Sequence, residues 1–165
     1  MKTDNIMPEL IMLVGLPASG KSTYVRQLLD KFPEKNYIVL STDDILTSWG
    51  EAEGLNYTQA YHKFSFKKAQ SIFNSQLKQA INDRRNIIVD KTSLTIKSRN
   101  KTLSKIPSDY KTKAIVFEVT IEELKSRIDI RAKETGKKIP EKVLAQMIDS
   151  YQPPSRSEFD ELKRM

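Results

Sequence analysis

Four short apolar runs are spaced along the chain and are separated by longer stretches with helical periodicity. The runs cover residues 10–14, 37–41, 86–90 and 113–119, and each of them predicts a buried β-strand. Residues 57–82, the longest stretch between the runs, place apolar side chains at the spacing of one helix face. Strands that alternate with helices predict parallel βαβ units. The expected fold is therefore α/β, with a mainly parallel sheet of about four strands and helices on both faces.

The helices are predicted from the same periodicity and from the turn residues at their ends. They cover residues 21–31, 45–48, 57–82, 95–103, 121–133, 141–151 and 157–163. The glycines in residues 50–56 predict a surface loop. The sequence contains no linker, repeat or low-complexity tract, so residues 1–165 are expected to form a single domain.

A glycine-bounded loop follows the first predicted strand. Residues 15–23 match the pattern G-x-x-x-x-G-K-[ST], and a predicted helix follows them, which is the context that this motif requires. The N–H groups of such a loop hold phosphate oxygens at the positive end of the helix. Lys21 is long enough to reach the β- and γ-phosphates, and the Ser22 hydroxyl is a potential Mg²⁺ ligand. The residues expected to bind ATP, or another nucleoside triphosphate, are Gly15, Pro17, Ala18, Ser19, Gly20, Lys21, Ser22 and Thr23. The motif predicts the three-layer sandwich of a P-loop NTPase.

Acidic residues stand at the ends of the second and third predicted strands. Ligands of parallel sheets bind beyond the carboxyl ends of the strands, so these carboxylates are expected near the P-loop. One of Asp43 and Asp44 is a candidate to accept the proton of an attacking hydroxyl, while the other is available to cap the next helix. Asp90 is expected to organise Mg²⁺ or its waters, and the capping of the following loop is the other interpretation of this residue.

Two arginines four residues apart, Arg127 and Arg131, project from one face of the helix predicted over residues 121–133. Like charges at this spacing repel each other, and three lysines follow between residues 133 and 138. We predict a basic helical lid over residues 127–140 whose arginines stabilise charge during phosphoryl transfer. A solvated basic face is the alternative interpretation of this pattern.

Composition narrows the class of protein. The net charge of +7 favours a polyanionic partner such as nucleic acid. The chain has no cysteine, which excludes disulfides and thiolate metal sites, and its single histidine, His62, argues against a zinc site. No apolar stretch approaches the length of a membrane span, and the first residues do not resemble a signal peptide. A cytoplasmic protein without a membrane partner is expected, in the host cytoplasm if a phage encodes it.

Basic and aromatic residues outside the motifs each have two interpretations. A basic set after Asp90 either follows the backbone of a nucleic acid or forms the solvated side of a helix. Its members are Lys97, Arg99, Lys101 and Lys105. Trp49, Tyr57 and Tyr61 either stack on a nucleobase or, as is commoner for such residues, pack in the core or anchor a loop.

Together these motifs resemble the 5′-kinase domain of phage polynucleotide kinase, within the wider group of P-loop kinases. The resemblance extends from Leu10 to about Glu161. The shared features are the P-loop at 15–23, the aspartate pair at 43–44, Ile-Val-Asp at 88–90, Val-Phe-Glu-Val at 116–119 and the helix with Arg127 and Arg131.

The resemblance implies an ATP-dependent kinase that phosphorylates the 5′-hydroxyl ends of DNA or RNA. In that family's terms, Asp43 is the general base and Arg131 contacts the donor phosphates, with Arg127 as a second contact. Lys21, Asp43 and Arg131 are thus the predicted catalytic residues. Ser22 and Asp90 are the predicted Mg²⁺ ligands.

Two departures from the family pattern affect these expectations. The family has an arginine three residues after the general base, where it contacts the acceptor, and this chain has Leu46. An Asp-x-Asp-x-Thr signature is absent, so a kinase without a phosphatase domain is expected. A kinase of a small acceptor, such as a nucleoside, nucleotide or sugar, is the second hypothesis. A nucleotide-gated nucleic-acid-binding module is the third, although it would need neither Asp43 nor Arg131.

Overall fold

The computed structural model describes residues 7–165, in which strands and helices alternate. In chain order the elements are β1 (Glu9–Val14), α1 (Lys21–Lys31), β2 (Ile38–Leu40), α2 (Thr42–Ala52), α3 (Tyr57–Lys63), α4 (Phe66–Asn82), β3 (Ile87–Val89), α5 (Ile96–Leu103), β4 (Lys111–Val116), α6 (Ile121–Thr135), α7 (Glu141–Ser150) and β5 (Glu161–Arg164). None of the helices in this part of the chain is both long enough and apolar enough to cross a membrane.

The strands form one parallel sheet in the order β2-β3-β1-β4-β5. β1 lies at its centre, where Leu10 is in register with Ile87 of β3 and with Thr112 of β4. A parallel sheet with helices on both faces buries both sides of its strands, and all of β1 after Glu9 is buried. The predicted α/β fold is confirmed, with five strands where the sequence predicts about four.

Alternate side chains of β1 point to opposite faces of the sheet and enter two separate apolar cores. Leu10, Met12 and Val14 belong to the core that α2 and α4 cover. Ile11 and Leu13 belong to the core that α1 covers. The sheet is thus the middle layer of the predicted three-layer sandwich, and its carboxyl edge remains open for a site.

The stretch predicted as one helix over residues 57–82 is two helices, α3 and α4. Phe64 and Ser65 between them have extended backbones. The Ser65 hydroxyl accepts a hydrogen bond from the backbone N–H of Lys68 at 3.2 Å, which caps α4. The apolar periodicity continues across the break and therefore conceals it.

The loop predicted over residues 50–56 is shorter than expected, because α2 continues to Ala52. Gly50 lies inside this helix, and a Cβ atom there would come within 2.8 Å of the Cβ of Ala60 in α3. The glycine therefore permits close packing of α2 against α3. This packing brings α3 towards the site described below.

The predicted helix over residues 157–163 is wrong, because this segment leads into the edge strand β5. A turn covers residues 156–158, and Leu162 of β5 is in register with Ala114 of β4. The Asp160 carboxylate accepts a hydrogen bond from the backbone N–H of Thr112 at 2.8 Å, which fixes the entry to the strand. Pairing with β4 and burial of Leu162 against the core determine the structure here more than local preference does.

Arg99, a candidate for contact with a nucleic-acid backbone, is instead completely buried. Its guanidinium donates to the Glu158 carboxylate at 2.8 Å and to the carbonyl of Ser93 at 2.8 Å. The residue therefore joins α5 to the segment before β5. Its interpretation as a surface contact is wrong, whereas Lys97 and Lys101 on the same helix are exposed.

Arg99→Ala is expected to lower the free energy of unfolding by about 3–5 kcal/mol, because it leaves the Glu158 carboxylate without its partner. Urea denaturation at neutral pH measures the change. Lys111→Ala is the matched control, since its ion pair with Glu161 is about half exposed and such pairs contribute at most about 1 kcal/mol. Equal effects of the two substitutions would show that the Arg99 pair does not stabilise the fold.

Candidate active site

The carboxyl ends of β2, β3 and β1 lie next to each other and bring three of the predicted site segments together. The P-loop follows β1, Asp43 follows β2 in the first turn of α2, and Asp90 directly follows β3. Backbone hydrogen bonds connect these ends. The N–H of Asp90 donates to the carbonyl of Leu40 at 2.9 Å, and the N–H of Gly15 donates to the carbonyl of Thr92 at 3.0 Å.

The P-loop has a backbone that requires its glycines. Gly20 has a φ of 108° and Ala18 a φ of 63°, both in the left-handed region. A Cβ atom at Gly15 would lie 2.7 Å from the Ser19 hydroxyl and 3.0 Å from the Cβ of Phe117. α1 begins directly after Gly20 without a side-chain cap, so its first N–H groups are available to an anion.

A bound nucleotide fits this loop. The hydroxyl of Ser19 is buried and has no hydrogen-bond partner among the described residues. It is therefore available to donate a hydrogen bond to a phosphate oxygen. Pro17 and Ala18 are half-buried in the loop, while Ser22 and Thr23 are exposed in the first turn of α1. The loop thus offers backbone N–H groups and hydroxyls to phosphate oxygens.

The Lys21 side chain folds back across the P-loop, where its ammonium donates to the carbonyls of Gly15 at 2.9 Å and Leu16 at 2.8 Å. Burial lowers the pKa of Lys21 to about 8. The negative charges of Asp90 and Asp43 oppose this shift, whereas the positive charges of Arg131 and Lys137 add to it. Four charged residues therefore lie close enough to Lys21 to act on its titration.

Both oxygens of the Asp43 carboxylate have partners. The Tyr57 hydroxyl donates to Oδ1 at 2.8 Å, and the Lys137 ammonium lies 3.3 Å from Oδ2 and 4.4 Å from the centre of the Tyr57 ring. Burial and the neighbouring Asp43 raise the pKa of Tyr57, so the phenol keeps its proton and remains a donor. These two contacts orient the carboxylate at the edge of the site.

The cap of α2 is Ser41, not either of the aspartates. Its hydroxyl accepts from the backbone N–H of Asp44 at 3.2 Å. Burial and the charge of Asp43 raise the pKa of Asp44. The two aspartates are thus both free of a capping role, and Asp43 alone contacts the lid.

Asp90 and Ser22 offer oxygen atoms of the kind that Mg²⁺ prefers. Burial raises the pKa of Asp90, and the positive charge of Lys21 opposes this effect. Residues 7–165 contain no cluster of three or more acidic, histidine or cysteine side chains that would hold a metal ion. The oxygen atoms of Asp90 and Ser22 would suit Mg²⁺, which usually binds one or two carboxylates together with substrate phosphates and water.

The lid predicted over residues 127–140 consists of the second half of α6 and the segment that leads to α7. Arg127 of α6 donates to the carbonyl of Ala18 at 3.2 Å and so contacts the P-loop directly. Arg131 is half-buried and lines a pocket of about 300 Å³ together with Thr47 of α2, Tyr57 and Lys137. The lid therefore lies between the P-loop and α2–α3.

An apolar cluster that we call the lid core joins α6 to α7. It consists of Leu124, Ile128 and Leu144, and Leu16 and Ala18 of the P-loop pack against it. The lid core shares no buried residue with the two cores of the sheet. It seats the lid on the loop that would hold the nucleotide.

Sequence reasoning found the charged residues of the site but not all their contacts. Lys137 was predicted only as part of a basic segment, and Tyr57 only as a stacking or packing residue. The sequence feature that relates to Lys137 is the preceding Gly136, because a glycine there ends α6 and turns the chain, with a φ of 72°. The hydroxyl of Thr58 in α3 donates to the carbonyl of Gly136 at 2.8 Å, and this contact brings Lys137 to Asp43.

A parallel sheet with a P-loop after its central strand and acidic residues after two neighbouring strands is the arrangement of a P-loop nucleotide-binding domain. Residues 10–154 match the model of the AAA_33 family, described as an AAA domain. The chain belongs to this family.

Three curated relatives match most of the chain but extend well beyond it. Heterogeneous nuclear ribonucleoprotein U-like protein 2 of human and mouse is 24% identical over 154 residues, which are 92% of this chain and 20% of that protein. L-seryl-tRNA(Sec) kinase of Methanococcus maripaludis is 29% identical over 150 residues, 88% of this chain and 53% of that enzyme. The chain thus spans between a fifth and about half of the length of these relatives.

Solved structures show the same fold. A chain of the Pnkp1/Rnl/Hen1 RNA repair complex has a TM-score of 0.68 at 24% identity, over 91% of this chain and 46% of that one. A fungal RNA kinase has a TM-score of 0.61 at 18% identity over 96% and 75% of the two chains. A gluconokinase from Sinorhizobium meliloti 1021 has a TM-score of 0.58 at 15% identity over 96% and 82%. The shared fold therefore occurs with different acceptors.

Proposed function

We propose that this chain is an ATP- and Mg²⁺-dependent kinase that transfers the γ-phosphate to the 5′-hydroxyl of a polynucleotide, DNA or RNA. The observation that carries the proposal is the Asp43 carboxylate, held by Tyr57 and Lys137 at the carboxyl edge of the sheet beside the P-loop. A carboxylate in this place suits the acceptance of a proton from an attacking hydroxyl. We place the enzyme in the cytoplasm, where ATP is available.

The proposed reaction is an in-line displacement. The 5′-oxygen of the acceptor forms a bond to the γ-phosphorus, the bond from that phosphorus to the β–γ bridging oxygen breaks, and ADP leaves. Asp43 takes the proton of the hydroxyl. Lys21 and Arg131, with Arg127 as a second contact, stabilise the charge on the phosphates. Mg²⁺, held through Ser22 and Asp90, would neutralise phosphate charge.

Two further observations favour a polynucleotide acceptor. The net charge of +7 attracts polyanions. The similar structures include a chain of an RNA repair complex and an RNA kinase, and the curated relatives include a kinase of seryl-tRNA. These similarities support a nucleic-acid acceptor without defining how its end is held.

A small acceptor is the second candidate. Phage polynucleotide kinases have an acceptor-binding arginine at the position of Leu46. Leu46 is completely buried in the core that α2 covers, so it cannot contact an acceptor. The pocket of about 300 Å³ beside Arg131 and Tyr57 has room for a nucleoside or a sugar. The likeness to a gluconokinase agrees with this alternative.

Acceptor length distinguishes the two candidates. We expect kcat/KM for a ten-nucleotide 5′-hydroxyl oligonucleotide to exceed that for a single nucleoside by at least about tenfold, because additional phosphates and bases contribute binding free energy. Transfer from γ-labelled ATP measures both values, and the same oligonucleotide with a 5′-phosphate is the control without an acceptor hydroxyl. Equal values would refute the polynucleotide acceptor and leave a P-loop kinase of a small acceptor.

A further inference from the structure

Three aromatic rings lie next to each other, and the first of them, Tyr57, contacts Asp43. We call Tyr57, Tyr61 and Phe66 the aromatic face. The centres of the rings of Tyr57 and Tyr61 are 6.1 Å apart, and those of Tyr61 and Phe66 are 6.4 Å apart. The hydroxyl of Tyr57 donates to the Asp43 carboxylate, so the aromatic face is anchored at the proposed general base.

The outer rings of the aromatic face are open to solvent. Tyr61 is 48% exposed and Phe66 is 45% exposed, and their rings adjoin each other in one exposed patch. The core contacts of these helices come from other residues, among them Ala60 of α3 and Ala69 and Phe73 of α4. Among the described residues, Tyr61 and Phe66 contact neighbouring rings but belong to none of the three apolar cores.

The segment that carries the aromatic face is rich in lysine, and the nearby carboxylates of Asp43 and Glu53 are paired with Lys137 and Lys63. Residues 54–82 contain four lysines, one histidine and no aspartate or glutamate. Lys67 and Lys68 are exposed in the first turn of α4, where the Lys68 ammonium lies 6.0 Å from the centre of the Trp49 ring. His62 lies against Tyr61 with 6.0 Å between the ring centres. Lys63 is paired with Glu53, so Lys67 and Lys68 are the better candidates for an external anion. This combination of rings and positive charge fits a strand of phosphates and bases.

The aromatic face also lies at the correct end of the sheet. The Lys91 ammonium, next to Asp90, donates to the Gln70 side chain of α4 at 2.7 Å, which places the first half of α4 beside the end of β3. The sequence analysis also considers Leu46 and Arg99 in relation to the acceptor, and both residues are buried. The aromatic face is thus an exposed surface that begins beside Asp43.

We propose that the aromatic face binds the first bases of a single-stranded nucleic acid, with its phosphates beside Lys67 and Lys68 and its 5′-hydroxyl at Asp43. The proposal rests on the proposed function and specifies its acceptor as a single strand. Base stacking on aromatic side chains requires bases whose faces are exposed, which a duplex does not offer. Such a surface accepts many sequences, because every base has a stacking face.

The first test replaces the two exposed rings. In the Tyr61→Ala/Phe66→Ala variant, affinity for a 3′-fluorescein-labelled ten-nucleotide oligothymidylate with a 5′-hydroxyl should fall by about 5- to 150-fold for each stacked base that is lost. Fluorescence anisotropy measures this affinity, and the affinity for ATP should stay unchanged. Ile121→Ala removes a similarly exposed apolar side chain from α6 and should have no effect on oligonucleotide binding.

An aromatic replacement separates stacking from general hydrophobic contact and from misfolding. Tyr61→Phe/Phe66→Tyr keeps both rings and should bind the oligonucleotide like the wild type, whereas Tyr61→Leu/Phe66→Leu should remain weakened. Wild-type affinity in the leucine variant, or in the alanine variant, would overturn the proposal.

The second test compares two pairs of lysines that carry the same charge. Lys67→Ala/Lys68→Ala should reduce the slope of log affinity against log salt concentration by about 0.7 per phosphate contact, or about 1.4 in all. Lys97→Ala/Lys101→Ala on α5 should leave the slope unchanged. The opposite result would place the strand along α5 and overturn the proposal.

The two proposals fail in different ways. A wild-type chain that neither binds nor phosphorylates the oligonucleotide would refute the proposed function and this surface with it. A wild-type chain that phosphorylates the oligonucleotide, together with an alanine variant of unchanged affinity, would refute the aromatic face alone.

Discussion

Asp43→Asn is expected to lower kcat by about 10²–10⁴-fold, the usual contribution of a general base, while the affinity for ATP stays close to that of the wild type. The asparagine side chain has nearly the same shape, and its carbonyl oxygen still accepts a hydrogen bond from the Tyr57 hydroxyl. The substitution therefore removes the proton acceptor and the charge but not the contact that orients the group. Single-turnover transfer from labelled ATP separates the chemical step from binding.

Asp44→Asn is the matched control for this prediction. The two aspartates are adjacent in the first turn of α2, yet only Asp43 contacts Tyr57 and Lys137. Asp44 does not cap the helix, so its substitution should change kcat by much less than the Asp43 substitution. A larger loss for Asp44→Asn than for Asp43→Asn would identify Asp44 as the base.

Lys21→Ala is expected to abolish measurable transfer and to weaken ATP binding, with a loss in kcat/KM of at least about 10³-fold. The ammonium is the charged group that the P-loop itself places at the donor phosphates. Equilibrium binding of a fluorescent ATP analogue and transfer assays measure the two effects. Transfer at the wild-type rate would show that the P-loop is not the active site.

The titration of Lys21 gives this prediction a second readout. Burial lowers the pKa of Lys21 to about 8 in the ligand-free chain, so part of the population is uncharged just above that pH. Phosphates favour the charged form and raise the pKa, so ATP binding at about pH 8.5 should take up protons. Calorimetry in two buffers with different ionisation enthalpies measures the uptake, which should be absent in Lys21→Ala. A binding enthalpy that does not depend on the buffer would contradict this account.

The local patterns predicted the centre of the fold better than its edges. β1 and the P-loop follow from an apolar run and a motif that are continuous in sequence. The edge strand β5 does not, because residues 161–164 become a strand by pairing with β4 and burying Leu162. The break at Ser65 was also missed, since its hydrogen bond to Lys68 leaves the apolar periodicity unchanged.

Charge alone did not show which basic residues face solvent. Arg99 belongs to a set of basic residues, but it is buried and paired with Glu158. Glu158 is 59 positions away, so the local sequence does not show this pair. The contacts of Asp43 have the same origin, because Tyr57 and Lys137 are 14 and 94 positions away in sequence. The charged residues of the site were predictable from the sequence. Their hydrogen bonds and ion pairs were not, because these contacts depend on how α3 and the lid pack against α2.

In the proposed kinase, the lid core would affect the rate of turnover. Leu124, Ile128 and Leu144 form a cluster of their own, so a shift of α6 and α7 against the sheet would leave both larger cores intact. Leu16 and Ala18 tie this cluster to the loop that would hold the spent nucleotide, and motions of such lids often limit product release. Substitutions at these apolar positions, which are not part of the proposed catalytic set, would therefore change the rate of turnover without changing the chemical step.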